Sequence, residues 1–154
     1  MKLTRAEIIS SVILFLVSVQ FFPYAAQYYR DIQPIEDWFE VTRISPGDAF
    51  VGDTVHLVYA REVKQPFSGV FDVKVLRIDH GSSPFPVCSN SETRQYTPKS
   101  GSVTITLERF LAEPYCMLPA GVYVIEAAWL IKRDGYSNKL VTFTSSPFTI
   151  LGKP

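Results

Sequence analysis

The sequence predicts an all-β fold, an antiparallel β-sandwich preceded by one N-terminal transmembrane helix. Three observations predict it. Ile8–Ala26 is an uncharged apolar run of about 19 residues, the length that crosses the hydrocarbon core of a bilayer. From Trp38 onward apolar and polar residues alternate at period two, the pattern of half-buried strands. Clusters of Gly, Pro, Asp and Ser interrupt that alternation often enough for a sandwich of about seven strands.

The apolar run comes first. Lys2 and Arg5 precede it, and Arg30 follows it. Orientation follows Lys and Arg near the ends of a span, so the N-terminus is expected in the cytoplasm and the remainder outside. Phe21, Phe22, Tyr24, Tyr28 and Tyr29 supply an aromatic belt for the outer interface, where Pro23 is also tolerated. A cleaved secretory signal is the rival reading. It calls for an apolar stretch of about 7–15 residues and small residues before the cut. Cutting after Ala25 or Ala26 would leave Pro23 or Tyr24 where a small residue is wanted, so an uncleaved anchor is preferred. Residues 1–30 are read as a short cytoplasmic terminus and the transmembrane helix, 31–37 as a linker, and 38–154 as the sandwich.

The strands follow in order. Phe39 and Val41 alternate with Glu40 and Thr42 until Ser45-Pro46-Gly47-Asp48 breaks the run. Val55, Leu57 and Tyr59 share one face, with His56 on the other. Phe71, Val73 and Val75 alternate with Asp72 and Lys74, and then the phase slips at Leu76, which predicts a β-bulge. Asp79-His80-Gly81-Ser82 is a turn, and Ser82–Pro98 reads as irregular. Val103, Ile105 and Leu107 predict one further strand. Val122–Lys132 is the longest, with Tyr123, Ile125, Ala127, Trp129 and Ile131 on its inner face. Arg133-Asp134-Gly135-Tyr136 is a turn, and Leu140–Phe143 and Phe148–Ile150 complete the sheet. No segment after the anchor has convincing helical periodicity.

Charge and composition narrow the function. The 154 residues carry no formal net charge, and beyond Arg30 the acids outnumber the bases fourteen to twelve. A nucleic-acid footprint is clearly basic, so no nucleic-acid partner is expected. Cys88 and Cys116 both follow the anchor, and an exported domain predicts a disulfide between them, with two separate buried thiols as the alternative. His56 and His80 lack ligand spacing, so no metal and no cofactor are expected. Asp53 lies three residues before His56, which on a strand places the two on opposite faces. No catalytic residue is assigned, and the chain is read as a non-enzyme.

Leu118-Pro119-Ala120-Gly121-Val122-Tyr123, followed by Trp129, resembles the start of a late strand in immunoglobulin-like and fibronectin-like domains. The resemblance implies an inward Tyr123 whose hydroxyl bonds back to the preceding corner. The wider layout resembles the small single-pass membrane proteins with a sandwich ectodomain encoded by bacteriophages and prophages. It consists of the anchor, the Tyr59–Phe67 segment, Val87-Cys88-Ser89, and Leu118–Tyr123. That resemblance implies fold and location and transfers no settled activity.

One feature exceeds what a solvated sheet requires. Val122, Val124, Ala128 and Leu130 lie opposite the Tyr123–Trp129 face, so the longest strand is apolar on both sides. Either a loop covers this outer face, or a partner docks on it with Lys132, Arg133 and Tyr136 at its rim. The expected function is a membrane-held binding or assembly module, as part of an envelope or lysis complex or as a host-surface modifier. Its expected partners are the lipid bilayer, through Ile8–Ala26, and a protein or a second copy of the chain. A structural role in a virion or membrane particle is the alternative, and an envelope enzyme is a further one.

Overall fold

The computed structural model describes residues 5–78, 83–113 and 116–153. Lys2 and the expected turn at Asp79–Ser82, with His80, lie outside them. The chain forms two compact units, Met1–Gln33 with Asp134–Ser137, and Pro34–Arg133 with Asn138–Pro154.

The first unit is built on α1 (Arg5–Asp31). Its Ser10–Asp31 part is a 22-residue stretch of mean hydropathy 1.4, long and apolar enough to cross a membrane or to act as a signal sequence. From Val12 to Tyr29 its large apolar side chains are exposed all round rather than along one stripe. That is the distribution a helix in lipid has, not one packed on a core. The helix continues through Pro23. At its end the Asp31 carboxylate accepts hydrogen bonds from the Ser137 amide (3.1 Å) and hydroxyl (2.7 Å). Arg30 stacks over the Tyr136 ring, 6.0 Å from its centroid.

The second unit is a sandwich of two sheets. The smaller sheet orders β1 (Phe39–Pro46), β3 (His56–Val63) and β6 (Lys99–Thr106) side by side, all antiparallel. The larger runs β2 (Ala49–Phe50), β9 (Phe148–Leu151), β7 (Gly121–Lys132), β4 (Phe67–Arg77), β5 (Phe85–Tyr96). β8 (Lys139–Thr144) also pairs with β7, so β9 covers the first three residues of that strand's edge and β8 covers Glu126–Ile131. Ser145 fills the gap between them. Its amide donates to the Ile125 carbonyl and its hydroxyl accepts from the Ile125 amide, both at 2.9 Å. One buried hydroxyl thus keeps the central ladder paired where the neighbouring strand breaks.

The core follows the alternation read from the sequence. Tyr123, Ile125, Trp129 and Ile131 are fully buried, as are Phe71, Val73 and Val75 on β4. Trp129 lies among Phe39, Tyr59 and Phe71, with ring centroids 5.1–6.5 Å apart. Trp38 closes one end, fully buried, with the Arg133 and Lys139 cations over its ring. The Tyr123 hydroxyl donates to the Pro119 carbonyl at 2.7 Å. This is the bond back to the corner that the resemblance implied.

The register of β4 against β5 shifts between Val75 and Leu76, where the phase slip was expected. The extra residue is Val87 on β5, since Val75 pairs with Cys88 and Leu76 with Pro86. Cys88 and Cys116 are joined, with their Cα atoms 5.7 Å apart.

Two expectations are corrected. Ser82–Pro98 is not irregular, because most of it is β5, a strand without apolar alternation. Leu107 does not continue the strand of Val103 and Ile105; it opens α2 (Leu107–Leu111), whose first turn is capped by the Thr106 hydroxyl accepting from the Arg109 amide. Five residues are too few to show a helical period. Val103 and Ile105 lie on β6 as expected, and Val103 is half exposed because β6 is the edge strand of its sheet.

Candidate functional site

The predicted outer face of β7 can be read row by row across the sheet. Leu130 lies between Val70 on β4 and Leu140 on β8, giving one apolar row that continues to Thr93 on β5. Leu140 is 64% exposed. Ala128 lies between Asp72 and Thr142, and Glu126 between Lys74 and Thr144. Val124 pairs with Leu76 and Val122 with Thr149. The face therefore divides into two apolar ends separated by a charged middle. Val122, Val124, Ala128 and Leu130 are all half-buried, as residues on a flat sheet shielded by cross-strand neighbours are.

The rim residues separate. Lys132 is exposed on this face. The Arg133 guanidinium is engaged over Trp38 and donates to the Gln65 side-chain oxygen. Tyr136 belongs to the helical unit.

A second region gathers more chemistry, on the side where β5 and β6 form the free edges of the two sheets. Cross-strand pairing places residues on a common face. Leu57, Tyr59 and Val63 point inward on β3, and Arg61 falls in the same phase. On β5 the partners of inward Gly69, Phe71 and Val73 are Arg94, Glu92 and Asn90. Charged side chains therefore point between the sheets. Half of this open side is closed. α2 inserts Phe110 against Tyr59 and Phe71, with ring centroids 5.2 and 5.4 Å apart. The Asn90 amide donates to the Leu111 carbonyl at 2.6 Å, and the Cys88–Cys116 bridge lies at the same end.

The other half remains a groove of about 570 Å³, with Tyr59 and Phe110 among its walls and Arg61, Arg94, Lys99 and Arg109 around it. The Arg94 guanidinium lies over Phe71 and pairs with Glu92. Arg61 lies over the rings of Tyr59 (5.4 Å) and Tyr96 (5.1 Å), and donates to the Tyr59 hydroxyl at 3.4 Å. Burial pushes the Tyr59 phenol up to about 12, and it raises that of Tyr96 as well, with the neighbouring arginines acting in the opposite sense. Both rings stay neutral at physiological pH, so neither offsets the positive charge. Among the described residues, no carboxylate lies within ion-pair distance of Arg61, Lys99 or Arg109. The one sequence signal for this groove is Arg61, a cation in phase with core residues.

Other candidates are not brought together. His56 is exposed opposite Thr106, and Asp53 pairs with Lys153 at 3.1 Å. Among the described residues no cluster of His, Cys, Asp and Glu is arranged to hold a metal ion. A cavity of about 580 Å³ opens between Phe50, Val55, Leu107, Met117, Leu118 and Ile150. No protein-family model matches the chain, and a search of curated proteins finds no match.

Proposed function

We propose that the chain is a membrane-held, non-catalytic binding or assembly module whose sandwich stands outside the cytoplasmic membrane. The observation that carries this reading is the pairing of an apolar helix, exposed along its length, with a disulfide-bridged β-domain on the same chain. A disulfide persists in oxidising compartments, and Lys2 and Arg5 favour a cytoplasmic N-terminus.

The sandwich is read as immunoglobulin-like. Its support is the division of strands, with the first, third and sixth in one sheet and the long β7 beside β4 in the other, and the Tyr123–Pro119 bond. In this reading the module works in an envelope or lysis complex or at the host surface, in keeping with the resemblance to phage and prophage membrane proteins, which itself transfers no settled activity. The Val70–Leu130–Leu140 row is its docking surface for a protein.

Alkaline phosphatase fused after Pro154 is expected to be active in cells. An inactive fusion, with an active cytoplasmic reporter at the same site, reverses the orientation. Leu140→Glu is expected to leave the full chain folded, since the side chain already faces solvent, and to abolish crosslinking to the partner in the membrane. Crosslinking that survives in a normally folded variant removes this row as the docking surface.

A further inference from the structure

We propose that the groove between β5 and β6 binds a phosphate-bearing ligand, held by Arg61, Lys99 and Arg109 above an aromatic floor. The groove lies on a different side of the sandwich from the docking row, and the inference does not depend on that row or on membrane orientation.

Three properties converge on an anion. First, Arg61, Arg94, Lys99 and Arg109 line one groove, and Glu92, already paired with Arg94, is the carboxylate in ion-pair contact with any of them among the described residues. An arrangement serving stability alone would place acids among such cations, because like charges brought together repel. Second, the space is built into the backbone. Gly101 stands opposite Arg61, at φ +150°, and a Cβ there would meet nothing within 4 Å. A side chain at this position would occupy that open space, and its backbone would be strained. Third, Arg61 is held in position before any ligand arrives, its guanidinium lying over two rings. A guanidinium fixed in this way loses less freedom on binding and presents its fork to two oxygens at once.

The bland explanation is edge protection, since inward-pointing charges on edge strands discourage sheet-to-sheet association. It accounts for Arg94 on β5 and Lys99 on β6. It does not account for Arg61, which is on β3, the central strand of its sheet. The surplus of cations selects phosphate over a single carboxylate, because a phosphate brings more charge and more acceptor oxygens to several donors. The volume, about 570 Å³, falls within the range of small-ligand sites. It admits a phosphate ester together with a short organic group, which the Tyr59 and Phe110 rings would cover. The source is either a soluble phosphate or the headgroup of an anionic lipid.

The test uses the full chain in nonionic detergent micelles at fixed ionic strength, followed by phosphorus NMR. One arm titrates inorganic phosphate. The other dopes the micelles with phosphatidylglycerol, against phosphatidylcholine. Saturable broadening of the phosphate or phosphatidylglycerol resonance is expected, weakened about tenfold or more by the double variant Lys99→Gln/Arg109→Gln and by Arg61→Gln. Lys153→Gln, at an exposed lysine that pairs with Asp53 and does not line the groove, is expected to change nothing. A response to phosphatidylglycerol alone assigns a lipid headgroup, and a response to inorganic phosphate alone assigns a soluble ligand. Lys99 and Arg109 are exposed, so their double variant decides the matter even if Arg61→Gln fails to fold. No saturable signal below about 10 mM in either arm overturns the proposal, as does equal weakening by Lys153→Gln and the groove variants.

Discussion

β7 and β5 have twelve residues each and flank the same strand, β4, yet they are held in the fold by different forces. β7 buries Tyr123, Ile125, Ala127, Trp129 and Ile131 in strict alternation and is paired along both edges. β5 buries only Tyr96, at its end, and pairs with β4 alone. A central strand is stabilised by what its side chains displace from water. An edge strand with polar residues on both faces is held by its backbone ladder and by whatever fastens it elsewhere. For β5 the fasteners are the Cys88–Cys116 bridge and the Asn90 bond to Leu111. The polar composition of β5 also suits its position. An apolar strand with a free edge would recruit further strands from other chains.

This contrast can be broken first at its strongest point. Trp129→Ala leaves a large void among Phe39, Tyr59 and Phe71, and should cost about 3–5 kcal/mol in chemical denaturation of the full chain. A loss under about 1 kcal/mol would mean that the β7 side of the core repacks freely. Next comes the covalent fastener. Replacing Cys88 and Cys116 with serine should cost about 2–5 kcal/mol, and hydrogen exchange should accelerate in β5 before it does in β7. Uniform acceleration in both strands would show that the bridge acts on the unfolded chain rather than on the edge. Smaller still is Tyr123→Phe, which removes the bond to Pro119 while keeping the ring. About 0.5–1.5 kcal/mol is expected, read from the same denaturation curves. The smallest effect belongs to β5 itself. Thr93→Ala changes an exposed residue on its outer face and should shift stability by no more than about 0.5 kcal/mol.

The same contrast explains what could be read in advance. β7, β4, β8 and β9 declare themselves because burial on one face imposes period two on their sequences. The apolar Leu76 that breaks the alternation stays in the outer phase, beside Val124 of β7, while the extra residue of the register shift is Val87 on the neighbouring strand. Ser89-Asn90-Ser91-Glu92-Thr93-Arg94-Gln95 carries no such imprint, since water meets one face and the groove the other. α2 is hidden for a different reason. Leu107, Phe110 and Leu111 are buried, but a single turn gives no period, and Leu107 happens to extend the alternation of Val103 and Ile105. The outer face of β7 is legible as apolar, while its division by the Lys74–Glu126 pairing depends on a register that no single strand's sequence contains. The groove is assembled from β3, β5, β6 and α2. Its one local trace is Arg61 in the core phase, and the rest follows from which two strands end up as free edges.

Trp38 and Trp129 are the chain's two tryptophans, both are fully sequestered, and both belong to the sandwich rather than to the helix. Indole emission shifts with the polarity around the ring, so the natural fluorescence of this protein reports on the sandwich without any label. Detergent or lipid around the helix, which contains only phenylalanine and tyrosine as aromatics, leaves that signal clear. The two rings also differ as probes. Trp38 is flanked by the cations of Arg133 and Lys139, whereas Trp129 sits among other aromatic rings. Loss of charge around the first and loosening of the core around the second should therefore give separable spectral changes, so that single-tryptophan variants can follow the entrance and the interior of the domain independently.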